Sequence, residues 1–205
     1  MALFIDTETT GLPNMNNMKW GCYPNYLDVA KYNTARIVQI SYIVTDYNYN
    51  DLYLEDYVIK REGFNITNSE FHSITDEISD KTGVEFNHAI EEFYKSLKKV
   101  KYIIAHNILF DVSVIKSELH RRGMHHIIDE LNKKKLLCTM KHTKNIIKII
   151  NKFGKYKYPS MKELYKYCFG KDIENAHNSK YDVINLHAAI KHMYDAGYLN
   201  YNLCI

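Results

Sequence analysis

Hydrophobic positions change their period several times along the chain, and each change marks an element. Leu3-Phe4-Ile5 is a short apolar run continued by Asp6-Thr7-Glu8-Thr9-Thr10 and halted by Gly11 and Pro13, which predicts a buried strand whose far end carries charge. β-Branched and aromatic runs at 36–46 and 51–59 flank the polar turn Tyr47-Asn48-Tyr49-Asn50 and predict a hairpin. Phe86, Ala89, Ile90, Phe93, Tyr94 and Leu97 recur at three- and four-residue intervals, the stripe of a helix lying on a sheet. Val100 to Ala105 predicts a strand ending at His106-Asn107, followed by a helix that carries Asp111 and stops near Gly123. A weaker strand spans Lys135 to Thr139. Ser160 and Glu163 form a capping-box pattern opening a helix through Cys168. A last helix, from about Ser179 to Ala196, buries Asp182, Leu186, Ala189, Ile190 and Met193 on one side and ends at Gly197.

Three stretches lack such periods. Residues 14–34 are rich in Asn and carry Trp20, Tyr23, Pro24 and Tyr26, so an inserted loop is expected at about 14–35. Its aromatics fit a self-packed surface loop or a stacking rim beside a site. A second loop holds Asn65, Asn68, His72 and Thr75, and a basic, Ile-rich segment follows the weak strand. A hairpin, then strand, helix, strand and helices, is a mixed α/β layout of five strands flanked by helices. With no linker, repeat or low-complexity tract, residues 1–205 read as one domain.

No apolar stretch approaches ~18 residues, and the start lacks a basic flank and cleavage pattern. The expectation is a soluble intracellular protein, cytoplasmic with the nucleus left open, and no membrane partner. Cys22, Cys138, Cys168 and Cys204 contain no Cys-x-x-Cys pair and are expected to be reduced, mostly packing residues. Net charge is only +3, but Lys95 to Lys171 holds 19 Lys and Arg against 5 Asp and Glu, a local +14, leaving −11 elsewhere. This points to a polyanionic partner, with Lys133, Lys134 and Lys135 as candidate contacts, while solvated helix faces would give the same count.

Asp6 and Glu8 lie two apart, so a strand puts both carboxylates on one face. In an apolar setting they repel and pay desolvation unless a cation neutralises them. Taken alone, the pair also fits a turn-initiating Asp6 and a solvated Glu8, the usual fate of two acids at a strand end. Asp111 and Asp182 likewise fit first-turn residues of their helices, Asp182 in a capping box with Ser179. Together the four supply hard oxygen donors of the kind that suit Mg²⁺ or Mn²⁺. His177 and Asp182, five residues apart, are ~140° apart on a helix and cannot share a face, so His177 belongs in the loop before it.

Asp6-Thr7-Glu8, His106-Asn107-Ile108-Leu109-Phe110-Asp111 and His177-Asn178-Ser179-Lys180-Tyr181-Asp182 resemble, in order, the three motifs of the DnaQ-like DEDDh 3′→5′ exonucleases. The resemblance covers nearly the whole chain. It implies a ribonuclease H-like fold, with the antiparallel hairpin joined to parallel strands. It implies two Mg²⁺ ions, replaceable by Mn²⁺: Asp6 bridging both, Glu8 and Asp182 on the nucleophile side, and Asp111 completing the shell directly or through water. His177 would take the proton of the attacking water, with His106 the next candidate base. Thr9, Thr10, Leu12, His72, Ile74, Asn107 and Phe110 would line the pocket of the terminal nucleotide. The implied activity releases nucleoside 5′-monophosphates from single-stranded or frayed DNA 3′ ends. An exoribonuclease, or a weakly catalytic nucleic-acid-binding subunit of a separate polymerase, are the alternatives. The chain is expected to leave no room for a fused polymerase, and its oligomeric state is not set by these motifs.

Overall fold

The computed structural model describes residues 1–16, 18–19, 21–174 and 177–199; Trp20 and Cys204 lie outside them. Strand β1, Ala2–Thr9, is followed by a 3₁₀ turn, Val29–Tyr32, and by the hairpin strands β2, Ile37–Thr45, and β3, Asp51–Val58. Helices α1, Ser69–His72, α2, Asp76–Thr82, and α3, Phe86–Leu97, lead to β4, Tyr102–Ala105. Then come α4, Ile108–Arg121, α5, His125–Asn132, β5, Lys135–Cys138, α6, Thr139–Ile147, α7, Met161–Phe169, and α8, Ser179–Asp195.

The strands form one sheet in the order β3-β2-β1-β4-β5, antiparallel on the hairpin side and parallel from β1 to β5. This is the expected mixed architecture. Strand parity divides the core in two: Leu3 and Ile5 pack with α3, α4 and α5 on one face, while Ala2 and Phe4 pack with α7 and α8 on the other. Among the described residues, no helix is long and apolar enough to cross a membrane.

The expected loop at 65–75 instead runs into two short helices. The Thr75 hydroxyl accepts the N–H of Ile78 and caps α2, a start that Thr75 followed by Asp76 and Glu77 announces locally. Helix α5 falls where no element was expected, and the basic Ile-rich segment divides into α6 and a small hairpin closed by an Ile150–Tyr156 bridge. The capping box at Ser160 forms in full. Cys138 is buried, Cys168 half-buried and Cys22 exposed, so Cys22 departs from the packing expectation; all three are free thiols.

Candidate active site

The site follows from where β1 loses its parallel partner. Pairing with β4 stops at Phe4 opposite Ile104, whereas pairing with β2 continues to Thr9, with a register shift between Glu8 and Thr9. Beyond Phe4 the β4 chain turns away through His106 and Asn107 into α4, opening a crevice at the carboxyl end of the strands, where open α/β sheets place their ligands. The parity that sends Phe4 toward α8 sends Asp6 and Glu8 the same way. One oxygen each of Asp6, Glu8 and Asp182 lies within 4.8 Å of the others.

Asp111 approaches from the opposite face. It is 2% exposed on the first turn of α4, and its Oδ1 accepts the hydroxyl of Thr7, the residue between the two acids of β1, at 2.9 Å. Asp111 therefore stands beside the triple rather than within it.

A buried polar network fixes α8, and thus Asp182, on the sheet. Ser41, paired opposite Asp6, donates to Oδ1 of Asp56 at 2.8 Å and accepts the hydroxyl of Ser179 at 2.6 Å. Gln39, opposite Glu8, accepts the Ser179 N–H at 3.3 Å and donates to the same Asp56 oxygen at 2.8 Å. The Ser179 side chain is thus spent on β2, and the capping-box alternative for Asp182 does not occur. Asp182 Oδ2 instead accepts the backbone N–H of His177 at 2.9 Å. His177 is exposed in the left-handed region at φ 68°, before the helix as expected, with its ring edge-on to Phe71 at 6.2 Å.

Burial raises all four carboxyl groups above their ordinary range, and for Asp6 and Glu8 the neighbouring carboxylates add to it. Asp6 is pushed up well above it by burial, then by Asp111, Asp182 and Glu8. Burial, with Asp182 and Asp111, raises Glu8 to about 8. Burial raises Asp111 to about 7 against the opposing Thr7 hydrogen bond. Asp182 is raised by burial, with the His177 N–H pulling the other way. Converging hard oxygens that resist ionisation together are a donor set that divalent cations fit, because bound positive charge removes both penalties.

His106 is not arranged as a base. Its Nε2 donates to the carbonyl of Pro159 at 3.0 Å, which leaves Nδ1 to accept the Thr139 hydroxyl at 3.0 Å. Burial lowers its pKa to about 4. Both nitrogens are committed, Nδ1 to the start of α6 and Nε2 to the chain before α7.

Two cavities flank the carboxylates. One, of about 400 Å³, is lined by Thr7, Glu8, Thr9, Gly11, Leu12, Asn68, Phe71, His72 and Phe110. The other, of about 360 Å³, is lined by Asp6, His106, Ser160, Met161, Lys162, Ile173, His177, Asp182 and Leu186. Of the residues expected to hold a nucleotide, Thr9, Leu12, His72 and Phe110 line the first cavity. Leu12 is 67% exposed at its mouth. Thr10 and Ile74 are buried and shape the wall from behind: the Thr10 hydroxyl accepts the Arg36 N–H, and the Ile74 N–H donates to Nδ1 of His72. Gly11 passes so close to Thr34 and Asn68 that a Cβ would lie 2.9 Å from the Thr34 carbonyl.

Asn107 lines a neighbouring cavity with Tyr23 and donates to the Tyr23 hydroxyl at 2.7 Å; the Tyr23 ring packs on Phe110 at 5.6 Å. The insertion thereby buttresses Phe110 at the wall of the first cavity, a role its aromatic content hinted at without singling out Tyr23. Lys162 lines the second cavity, a position that no local sequence pattern marks. Lys133 and Lys134, offered above as nucleic-acid contacts, both pair with Glu130; Lys134, nearly buried, also donates to the Val100 carbonyl and is committed within the fold, whereas Lys133 pairs on the surface.

The chain matches the RNase T exonuclease family over residues 3–190. No curated protein sequence matches it significantly. Exonuclease X in complex with 5′ overhanging duplex DNA superposes with a TM-score of 0.62 at 20% identity, covering 100% of this chain and 98% of that one. E. coli exonuclease I in complex with a dT13 oligonucleotide gives 0.70 at 17% identity over 94% of this chain and 40% of that one, so the chain spans less than half of exonuclease I. The nuclease domain of 3′hExo, a DEDDh family member bound to rAMP, gives 0.67 at 12% identity, covering 96% and 92%. The shared fold is ribonuclease H-like.

Proposed function

The chain belongs to the RNase T exonuclease family and is a nuclease hydrolase; from that premise we propose a two-metal-ion 3′→5′ exonuclease that releases nucleoside 5′-monophosphates from single-stranded or frayed DNA 3′ ends. The observation that carries this reading is the convergence of Asp6, Glu8 and Asp182 within 4.8 Å, with the backbone of His177 bonded to Asp182. Asp6, Glu8 and Asp182 would hold divalent ions, Mg²⁺ with Mn²⁺ able to substitute, and Asp111 would complete the set. When bound, such ions lower the pKa of the attacking water and stabilise the attacking and leaving oxygens of a phosphodiester. His177, exposed and outside the helix, takes the proton of that water. Leu12, His72 and Phe110 enclose the leaving nucleotide, and Tyr23 and Asn107 brace Phe110 from behind. Residues 1–205 act as one exonuclease domain, with the insertion at about 14–35 as part of its substrate wall.

The preference for deoxyribose is supported by how the two threonines are used. Thr9 Oγ1 gives its proton to the Gly11 carbonyl at 2.8 Å, so it has none left to donate to a 2′-hydroxyl, and Thr10, whose Oγ1 accepts the Arg36 N–H at 3.0 Å, is buried behind the wall. Structures solved with DNA, such as those of exonuclease X and exonuclease I, support a DNA substrate. A 3′-exonuclease that recognises a histone mRNA stem-loop keeps the exoribonuclease as the second reading. Digestion of matched 3′- and 5′-labelled DNA and RNA oligomers with Mg²⁺ tests both. Nucleoside 5′-monophosphates released from the 3′ end, faster from DNA, are expected; faster RNA degradation transfers the assignment to the second reading.

A further inference from the structure

The most basic part of the chain bears an exposed aromatic side chain. From Lys133 to Lys162 there are ten lysines and no Asp or Glu. Within this stretch the Ile150–Tyr156 bridge closes a small hairpin. Its turn is built rather than loose: Oδ1 of Asn151 accepts the N–H groups of Phe153 at 2.9 Å and Lys155 at 3.1 Å, and Gly154 takes the left-handed φ of 73° that closes the turn. Phe153 stands at the tip, 74% exposed, with Lys152 over its ring at 5.1 Å. Lys148, Lys152 and Lys155 have no carboxylate partner among the described residues, unlike Lys157, which pairs with Glu163.

The base of the hairpin is tied to the active site. Lys157 is bonded to the first turn of α7, and the Pro159 carbonyl accepts from His106. Ser160 and Lys162 then line the cavity beside Asp6, His177 and Asp182. Among the described residues, Lys162 is the one lysine or arginine lining either cavity that flanks the carboxylates. A strand lying across Asp6, Glu8 and Asp182, with its terminal nucleotide in the Leu12 cavity, leaves by the Lys162 cavity.

We propose that the hairpin at 149–157 is a docking surface for the retained part of a single-stranded nucleic acid, which leaves past Lys162 with a base stacked on Phe153 and phosphates on Lys148, Lys152 and Lys155. An aromatic platform set among unpaired cations is the chemistry of sequence-tolerant single-strand binding. Phe153 is seven residues from Ser160, at most about 25 Å of chain, the span of roughly seven nucleotides at stacked spacing. The surface therefore acts on oligomers and not on dinucleotides. This inference rests on the nuclease reading for the direction of the strand.

Three measurements test it on the full chain. With dT12 and rU12 against the corresponding dinucleotides, Phe153→Ala is expected to lower the ratio of kcat/KM on the 12-mer to that on the dinucleotide about fivefold or more, through KM. The double substitution Lys152→Gln, Lys155→Gln is expected to flatten the log–log salt dependence of 12-mer binding by about 1.4, two single-strand phosphate contacts. An unchanged ratio or an unchanged slope overturns the proposal. The third measurement places Phe153→Trp in an Asp6→Asn, Trp20→Phe background, so that position 153 carries the one tryptophan. Emission quenched by dT12 or rU12 but not by a dinucleotide supports stacking, and equal indifference to all of them overturns it. Comparison of the dT12 and rU12 arms identifies which nucleic acid is held. If the unaltered protein cleaves no oligomer the nuclease reading fails, while the quenching measurement still decides the docking surface.

Discussion

The backbone N–H of His177 donates to Oδ2 of Asp182 at 2.9 Å, so the loop carrying the proposed base is pinned to a carboxylate of the proposed metal set while its imidazole stays exposed. His177→Asn, which tolerates the left-handed backbone there, is expected to lower kcat by ~10²–10⁴-fold with a small change in KM, the usual contribution of general base catalysis. Steady-state kinetics on a labelled oligomer checks this; an unchanged kcat removes His177 from the chemistry.

The crowded carboxylates set how stability responds to pH. Glu8 and Asp111 hold protons up to about 8 and about 7 in the folded chain, above their ordinary 4.5 and 3.8. Between about pH 4 and 8 the folded state therefore binds more protons than the unfolded one, and stability falls as pH rises. Without divalent ions Tm is expected to decline from pH 5 to pH 8, and Mg²⁺ to restore it most at pH 8, as a ligand of the folded state. Asp6→Asn is expected to flatten the decline while abolishing cleavage. Scanning calorimetry reads both effects, and a metal-free Tm that climbs over this range contradicts the crowding.

Glu118 is 2% exposed and accepts from both Arg36 and Arg122, while Arg122 reaches on to Glu62 at 2.7 Å. Arg36 also lies over the Phe64 ring at 4.4 Å, so this network ties α4 to the start of β2 and the chain beyond β3. Glu118→Ala leaves the mostly buried Arg36 guanidinium without a carboxylate and Arg122 with Glu62 alone, and is expected to cost about 3–5 kcal/mol, measured by denaturant unfolding. A loss below ~1 kcal/mol would mean that solvent replaces the carboxylate at little cost.

His106 has a folded pKa of about 4 against an ordinary 6.5. Its contribution is complete above about pH 6.5 and is lost as pH falls toward 4, because only the unfolded chain accepts the proton readily. ¹⁵N NMR is expected to find a neutral imidazole with the proton on Nε2 from pH 5.5 to 8. Titration near 6.5 would free it to serve as the second base.

The sequence by itself determined whatever depends on neighbours a few residues away. Alternation placed Asp6 and Glu8 on one face of β1, the three-to-four stripe located α3, and Ser160 with Glu163 marked the start of α7. The motif order was sufficient to indicate the fold and to single out carboxylates that the fold brings together. Tertiary structure decided what depends on residues far apart in the chain. The Tyr23–Asn107 bond spans 84 residues and the Ser41–Ser179 bond 138, and no local pattern carries either. The same holds for charge: Lys133 and Lys134 pair with Glu130, whereas, among the described residues, Lys152 and Lys155 stand without a carboxylate partner. Composition counts these lysines alike, and only the fold decides which of them meets a carboxylate before a phosphate could.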